Sequence, residues 1–144
     1  MTGQSDPFRH HPELRGRIVD PDLSFFRGFE PAAHDARMRA LGFPDDWRYS
    51  DAEREARRRS LLAGRGRQPL WVFAYGSLME DPGFHFSDVR HGRIAGYARR
   101  FCLIDTFGWR GSAAAPGLMA ALDKGFGCEG LVFCIAPEAV ETES

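Results

Sequence analysis

Trp71-Val-Phe-Ala-Tyr75 is an unbroken run of aromatic, β-branched and small apolar residues that stops at Gly76, and it constrains the fold more than any other stretch of the chain. Five residues are too few for a helix, whereas a strand covered on both faces requires such a run. The segment predicts a buried strand, and Gly76-Ser77 predicts a sharp turn at its end. What precedes it has a different character: Gly64-Arg-Gly-Arg-Gln-Pro69 is a linker by composition. The chain therefore divides into residues 1–69, an arm and two helices with a linker, and residues 70–144, the domain proper.

Within the first part, residues 1 to about 30 are rich in Pro, His and charge, and their apolar residues follow no period. A loose arm is expected, docking through Leu23-Ser24-Phe25-Phe26. Pro31 to Leu41 predicts a helix with Pro in its first turn and Gly42 as its stop. Ser50-Asp-Ala-Glu53 is a capping box that opens a second helix, closed by Gly64. Glu53 with Arg57 and Glu55 with Arg59 fall at i,i+4, so the Arg54, Arg57, Arg58, Arg59 cluster is expected to be a solvated, charge-paired face and not a nucleic-acid patch.

Beyond Tyr75, Asp81-Pro-Gly83 breaks the chain. Arg93 to Leu103, Gly117 to Leu122 and Glu129 to Ile135 then read as three more strands, the last entered through a Gly125-Phe-Gly127 turn. Strands gathered after helices predict an α+β fold with a mixed sheet or small barrel, not alternating βαβ units. Pro137 with Glu138, Glu141 and Glu143 has the acidic first turns of a helix, whose dipole those carboxylates are expected to complement. That helix would have about two turns, short of the ~12–15 residues at which isolated helices become stable, and four strands leave open edges. The sequence is therefore expected to be incomplete at its C-terminus.

Composition narrows the partners. A formal net charge of −1 with interspersed signs provides no positive field for nucleic acid or an anionic membrane. Cys102, Cys128 and Cys134 are odd in number and form no CxxC pair, as expected in a reducing compartment. Cys128 and Cys134 on one strand would lie roughly 20 Å apart, too far to bridge. No apolar run approaches the ~18 residues of a bilayer span, and Met1 to His11 is polar, so a soluble cytoplasmic protein is expected. His10, His11, His34, His85 and His91 match no metal-ligand spacing, so no metal or other cofactor is expected.

The chemistry sits at the end of the first strand. Tyr75-Gly76-Ser77-Leu78 can present successive backbone N–H groups to one side, a nest for an anion. After it come Gly96-Tyr97-Ala-Arg-Arg100-Phe101-Cys102-Leu103, then Arg110-Gly111 and Pro116-Gly117-Leu118, then Cys128-Glu-Gly130-Leu-Val-Phe133. The ordered set W-V-F-x-Y-G-S-L, G-Y-x-R-x-F-C and R-G…P-G-L resembles the ChaC-like family, the glutathione-specific γ-glutamylcyclotransferases, over about residues 71 to 137. The N-terminal half carries no such motif.

That resemblance implies a small mixed β-barrel with flanking helices that cleaves glutathione into 5-oxoproline and cysteinylglycine without water or metal. The α-amine of the γ-glutamyl group attacks its own γ-carbonyl and expels the dipeptide amine. Such a site must hold the substrate folded, supply a carboxylate for the proton, and face donors to the developing oxyanion. The resemblance places Tyr75, Gly76, Ser77 and Leu78 as the cradle of the γ-glutamyl part, and Arg110 as a contact to a substrate carboxylate. It places the catalytic Glu about twenty residues after Gly130, beyond Ser144, so no catalytic residue is assigned. Glu80, Asp81 and Asp105 lie near the cradle in sequence but not at the expected position.

Two other readings use the same residues. Cys102 could be a nucleophile with His85 or His91 as base, although a cysteine in an apolar strand is expected to be inert core. The chain could instead bind γ-glutamyl compounds without turning them over, as a regulatory protein, or act on other γ-glutamyl amines. Oligomeric state has no signal in the sequence.

Overall fold

Capping chemistry puts both N-terminal helices where their signals sit. The computed structural model describes residues 6–112 and 114–144; Met1–Ser5, part of the polar N-terminus discussed above, lie outside the described residues. Helix α1 spans Pro31–Ala40 and α2 spans Asp51–Leu62. At the start of α2, Ser50 Oγ accepts from the Glu53 N–H at 3.3 Å while the Glu53 carboxylate accepts from the Ser50 N–H at 2.8 Å, the complete capping box. Glu55 accepts from Arg58 at 2.7 Å and Arg59 at 2.6 Å, and hydrogen bonds from these two arginines hold its carboxyl down at about 2. Arg57 lies over the Tyr49 ring at 4.0 Å. The arginine face is thus largely a partnered one, with the expected Glu55–Arg59 pair formed, whereas Glu53 is committed to the Ser50 cap and Arg57 to the Tyr49 ring in place of the expected Glu53–Arg57 pair.

Five strands follow: β1 (Leu70–Ala74), β2 (Asp88–Ile94), β3 (Tyr97–Ile104), β4 (Leu118–Lys124) and β5 (Cys128–Ile135). The segment expected as one strand from Arg93 to Leu103 is two, broken at Ala95-Gly96, and β2 begins earlier than its pattern suggested. The two halves enter different sheets. One sheet has the order β1-β5-β2 and the other is the pair β3-β4, every pairing antiparallel. The class is α+β, and among the described residues the strands do not close into a barrel. Gly125-Phe-Gly127 accordingly links the two sheets and does not close a hairpin within one.

Cys128 and Cys134 both lie on β5, and all three cysteines are free. The core forms where β5 crosses its neighbours: Ala74, Val89, Leu131 and Phe133 are buried together with Ile18 from the arm. Each large apolar side chain removed from water there contributes roughly 1.5–3 kcal/mol. Phe8 and Leu14 of the arm pack on the same cluster.

The arm is therefore not loose, and its anchor lies upstream of the cluster expected to dock. The Val89 N–H donates to Pro7 O at 3.2 Å, and Val19 N–H to Glu80 O at 2.7 Å. Arg9 pairs with the buried Asp88 at 2.8 Å. The Leu23–Phe26 cluster does touch the domain, the Phe25 N–H donating to Asp81 at 3.3 Å and Ser24 and Phe26 lying against Gly83, but only Ser24 of it is buried. The physical reason is that β2 is an edge strand whose outer backbone groups need a partner, which the Pro7 segment supplies.

The chain continues from β5 through a 3-10 turn at Pro137–Ala139 into α3, Val140–Glu143. Glu143 ends α3, where the helix dipole disfavours an anion. Its carboxylate is instead held by Arg27 at 2.7 Å and by the His85 N–H at 2.8 Å. Burial opposes its ionisation, yet those partners keep its carboxyl below the usual value.

Candidate functional site

At the end of β1 the chain turns through Tyr75 and Gly76 into a 3-10 turn, Ser77–Met79. The Met79 N–H returns to Gly76 O at 2.9 Å, and the Glu80 and Asp81 N–H groups both reach Ser77 O at 3.0 Å. The opening N–H groups of such a turn have no partner inside it. Among the described residues, none accepts from the N–H groups of Gly76, Ser77 or Leu78. A Cβ built on Gly76 meets no atom within 4 Å, so this backbone borders open space.

That space is a cavity of about 510 Å³. It is lined by Tyr75, Gly76, Ser77, Leu78 and Arg110, the five residues singled out from the sequence, and by Phe73, Arg99, Phe101 and Met119 among others. Arg110 arrives from a distant loop whose geometry is fixed by its own backbone. Asp105 N–H donates to Gly117 O at 2.9 Å, Gly117 N–H donates to Arg110 O at 2.7 Å, and Gly111 bridges to Pro116. Gly111 has φ +86°, and a Cβ on Gly117 would sit 2.5 Å from Arg110 O, so the glycines of the R-G…P-G-L motif are steric requirements of this loop.

Asp105 organises the same loop from inside. It is buried, and its carboxylate accepts from the Phe107 N–H at 2.8 Å and from the Arg110 N–H. Burial is the largest single influence and opposes ionisation. Backbone N–H groups of Arg110, Phe107, Gly108 and Trp109 together outweigh it and hold the carboxyl below its ordinary value. A carboxylate committed in this way is a loop support, not a base. Asp81 is likewise occupied by the Phe25 N–H at 3.3 Å, and neither it nor Glu80 lines the cavity.

Arg99 was present in the G-Y-x-R-x-F-C motif but not singled out as a site residue. Its Nη1 donates to Tyr75 O at 2.7 Å, tying β3 to the strand end. Alternation along β3 was the available signal, since Arg99 and Phe101 share a face. The lining then holds two guanidinium groups, three unpaired amides and apolar walls, with no carboxylate among its described residues. Such a cavity suits a small anionic molecule with an apolar portion.

The cysteine alternative is not assembled. Cys102 is exposed on β3, contrary to the core position expected of it, at the register irregularity between Phe101 and Leu103 where it has no partner on β4. His85 is held elsewhere, Nδ1 at 3.0 Å from Glu143 and Nε2 at 3.2 Å from Asp22. His91 instead packs against His11, ring centroids 4.5 Å apart, a neighbour that sequence spacing does not reveal.

The fold is an α+β domain with a cavity at the end of its first strand. Residues 70–144 match the family described as ChaC-like protein, and the chain belongs to that family. The glutathione-specific γ-glutamylcyclotransferase of Escherichia coli (strain K12) is 38% identical over 96 residues, which is 66% of this chain and 41% of the relative. Glutathione-specific γ-glutamylcyclotransferase 1 of Homo sapiens is 44% identical over 75 residues, 51% of this chain and 33% of the relative. A crystal structure of the glutathione-specific γ-glutamyl cyclotransferase from yeast aligns with a TM-score of 0.45 at 27% identity, covering 51% of this chain and 43% of that one. The chain thus spans well under half the length of the relatives it matches.

Proposed function

We propose that residues 70–144 carry the γ-glutamyl-binding portion of a γ-glutamylcyclotransferase that converts glutathione to 5-oxoproline and cysteinylglycine. The observation that carries this reading is the convergence of Tyr75–Leu78 and Arg110 on one cavity with the amides of Gly76, Ser77 and Leu78 unpaired. The names of the relatives supply the substrate. Residues 1–69 act in this reading as a wrap on the domain, and the protein works as a soluble cytoplasmic enzyme with free thiols and no nucleic-acid or membrane partner.

The chemistry follows from the residues present. The γ-glutamyl group lies in the cradle, its oxygens facing the free amides, while the guanidinium groups of Arg110 and Arg99 answer the two carboxylates of glutathione. Folding the substrate brings its α-amine within reach of the γ-carbonyl, so ring closure proceeds without the entropy cost of a bimolecular encounter. Amides aimed at the carbonyl oxygen stabilise the charge that develops there. The proton-accepting carboxylate belongs in this reading to chain downstream of Ser144, since among the described residues no carboxylate lines the cavity.

That same lack favours a second reading, a γ-glutamyl-binding module without turnover. Calorimetry with glutathione, paired with a 5-oxoproline assay, separates the two. The 144-residue chain is expected to bind without product, and the natural coding sequence continued in frame past Ser144 to release 5-oxoproline. Turnover by the shorter chain sinks the placement of the base, and binding without turnover by both chains selects the module. Arg110→Ala is expected to weaken binding by roughly one to two orders of magnitude, the span of a hydrogen bond to a charged group. γ-Glutamylalanine in the same assay reports whether other γ-glutamyl amines are accepted.

A further inference from the structure

Two imidazoles and a carboxylate converge outside the cavity, from parts of the chain 80 residues apart. His11 caps the 3-10 turn Pro12–Leu14, Glu13 lies within that turn, and His91 lies on β2. His11 Nδ1 is 3.0 Å from Glu13 Oε1, and His91 Nε2 is 3.9 Å from the same oxygen. One ligand atom from each residue falls within 4.8 Å of the others. Bonds of about 2.0–2.2 Å to a tetrahedral ion put ligand atoms roughly 3.3–3.6 Å apart, so small rotations of the half-buried His11 and the exposed Glu13 and His91 complete the set.

The backbones that carry these groups are already fixed against each other. Pro7 O accepts from the Val89 N–H at 3.2 Å, Arg9 binds Asp88 at 2.8 Å and Ser87 O at 3.0 Å, and the Phe8 ring meets Phe86 edge-on at 5.7 Å. Side chains on two anchored segments pay less ordering entropy for a shared ion than the same groups on a free tail. Two imidazoles with one carboxylate form a nitrogen-rich set that suits zinc, cobalt, nickel or copper and discriminates against magnesium and calcium.

We propose that His11, Glu13 and His91 form a binding site for a divalent transition-metal ion, zinc in the first instance, which clasps the N-terminal arm to β2. The ion takes His11 at Nδ1, Glu13 at a carboxylate oxygen and His91 at Nε2, with water in the fourth position. His11 Nε2, which now accepts from the His91 N–H at 3.3 Å, then carries the imidazole proton, and water at this exposed place replaces the contact. The site is independent of the cyclotransferase reading, and none of its residues lines the cavity.

The test is calorimetric titration of the untagged, chelator-treated 144-residue chain with zinc chloride in thiol-free buffer, with cobalt(II) absorption as a second probe of coordination. One ion per chain is expected, with His11→Ala and His91→Ala each weakening it roughly tenfold or more, since even outer-shell partners of metal ligands are worth that much. Zinc is also expected to slow tryptic cleavage after Arg15 and Arg17 of the arm. The exposed Cys102 is the competing ligand, so Cys102→Ser is titrated in parallel and is expected to bind as the parent does. Affinity unchanged in both histidine variants, binding lost in Cys102→Ser, or no binding by the parent overturns the proposal. Should an alanine variant fail to fold by circular dichroism, His11→Asn and His91→Asn replace it.

Discussion

The strands β5 and β3 are both eight residues long with six apolar residues each, yet one is largely dry and the other wet. Along β5, five of eight residues are buried, whereas β3 has none, with Phe101 and Ile104 more than 60% exposed. The difference lies in what covers them: β5 runs between two strands under Phe8, Leu14 and Ile18 of the arm, while among the described residues β3 pairs with β4 alone. What orders the β3-β4 region is polar, the hydrogen bonds that Asp105 and Gly117 make in the loop delivering Arg110. Burial is a property of neighbours, so similar strand patterns acquire opposite energetics.

The sharpest way to break this contrast is to cut into the dry sheet. Phe133 is fully buried between the rings of Phe84 and Phe86, at 5.8 and 4.9 Å between centroids. Phe133→Ala is expected to cost about 3–5 kcal/mol in urea denaturation, transfer and cavity terms together. A loss under about 1 kcal/mol, the range of ordinary surface positions, would mean that β5 is not the centre of the core.

Gly130 tests the seam between that sheet and the cradle. A Cβ there would sit 2.2 Å from Ala74 O, so alanine must push the end of β1 away. Gly130→Ala is expected to destabilise by about 1–3 kcal/mol, as overpacking does, and to weaken glutathione binding. Full stability with unchanged binding would separate the cradle from β5.

How far the sequence discloses this arrangement follows from the same contrast. β1, β4 and β5 are legible as strands because uniform apolar runs and glycine punctuation are local signals, but β1 is an edge strand with Trp71 exposed and only Ala74 buried, not the strand buried on both faces that its run predicts. Tyr75–Leu78 is legible as a sharp turn for the same reason, since a strand ending in Gly-Ser leaves its amides free. The start of β2 is not, because Asp88-Val-Arg-His-Gly92 is an edge segment whose partner is the arm and carries no alternation. Phe8, Leu14 and Ile18 escape because 3-10 turns and bends impose no period on core residues. Arg99 escapes because the face of β3 that meets the cavity is a tertiary matter, and Asp105 because the Phe107 and Arg110 amides it binds belong to a loop that its sequence only punctuates.

Acid should act on the wet region through Asp105. Its carboxyl titrates below the ordinary 3.8 in the folded chain, so its contribution is fully present above pH 3.8 and is lost as pH falls through the lower folded value. Hydrogen exchange of the Phe107 and Arg110 amides is therefore expected to accelerate relative to β5 amides only below pH 3.8. Asp105→Asn, which keeps one acceptor without the charge, should flatten that pH dependence. Acceleration already at pH 5 would assign the effect to another group.

The smallest expected effect is that of the second member of a matched pair of substitutions. Ile135→Thr buries a hydroxyl in a site 1% exposed and is expected to cost about 2–4 kcal/mol, the lost packing plus the unsatisfied polar group. Ile104→Thr makes the identical change at a position 64% exposed, keeps a β-branched residue opposite Leu118, and is expected to stay within about 0.5 kcal/mol of the parent. Equal costs at the two sites, read from the same denaturation curves, would mean that the β3-β4 face is covered in solution, by a second copy or otherwise. In that case the exposure of Phe101, and with it the open wall of the cavity, would have to be redrawn.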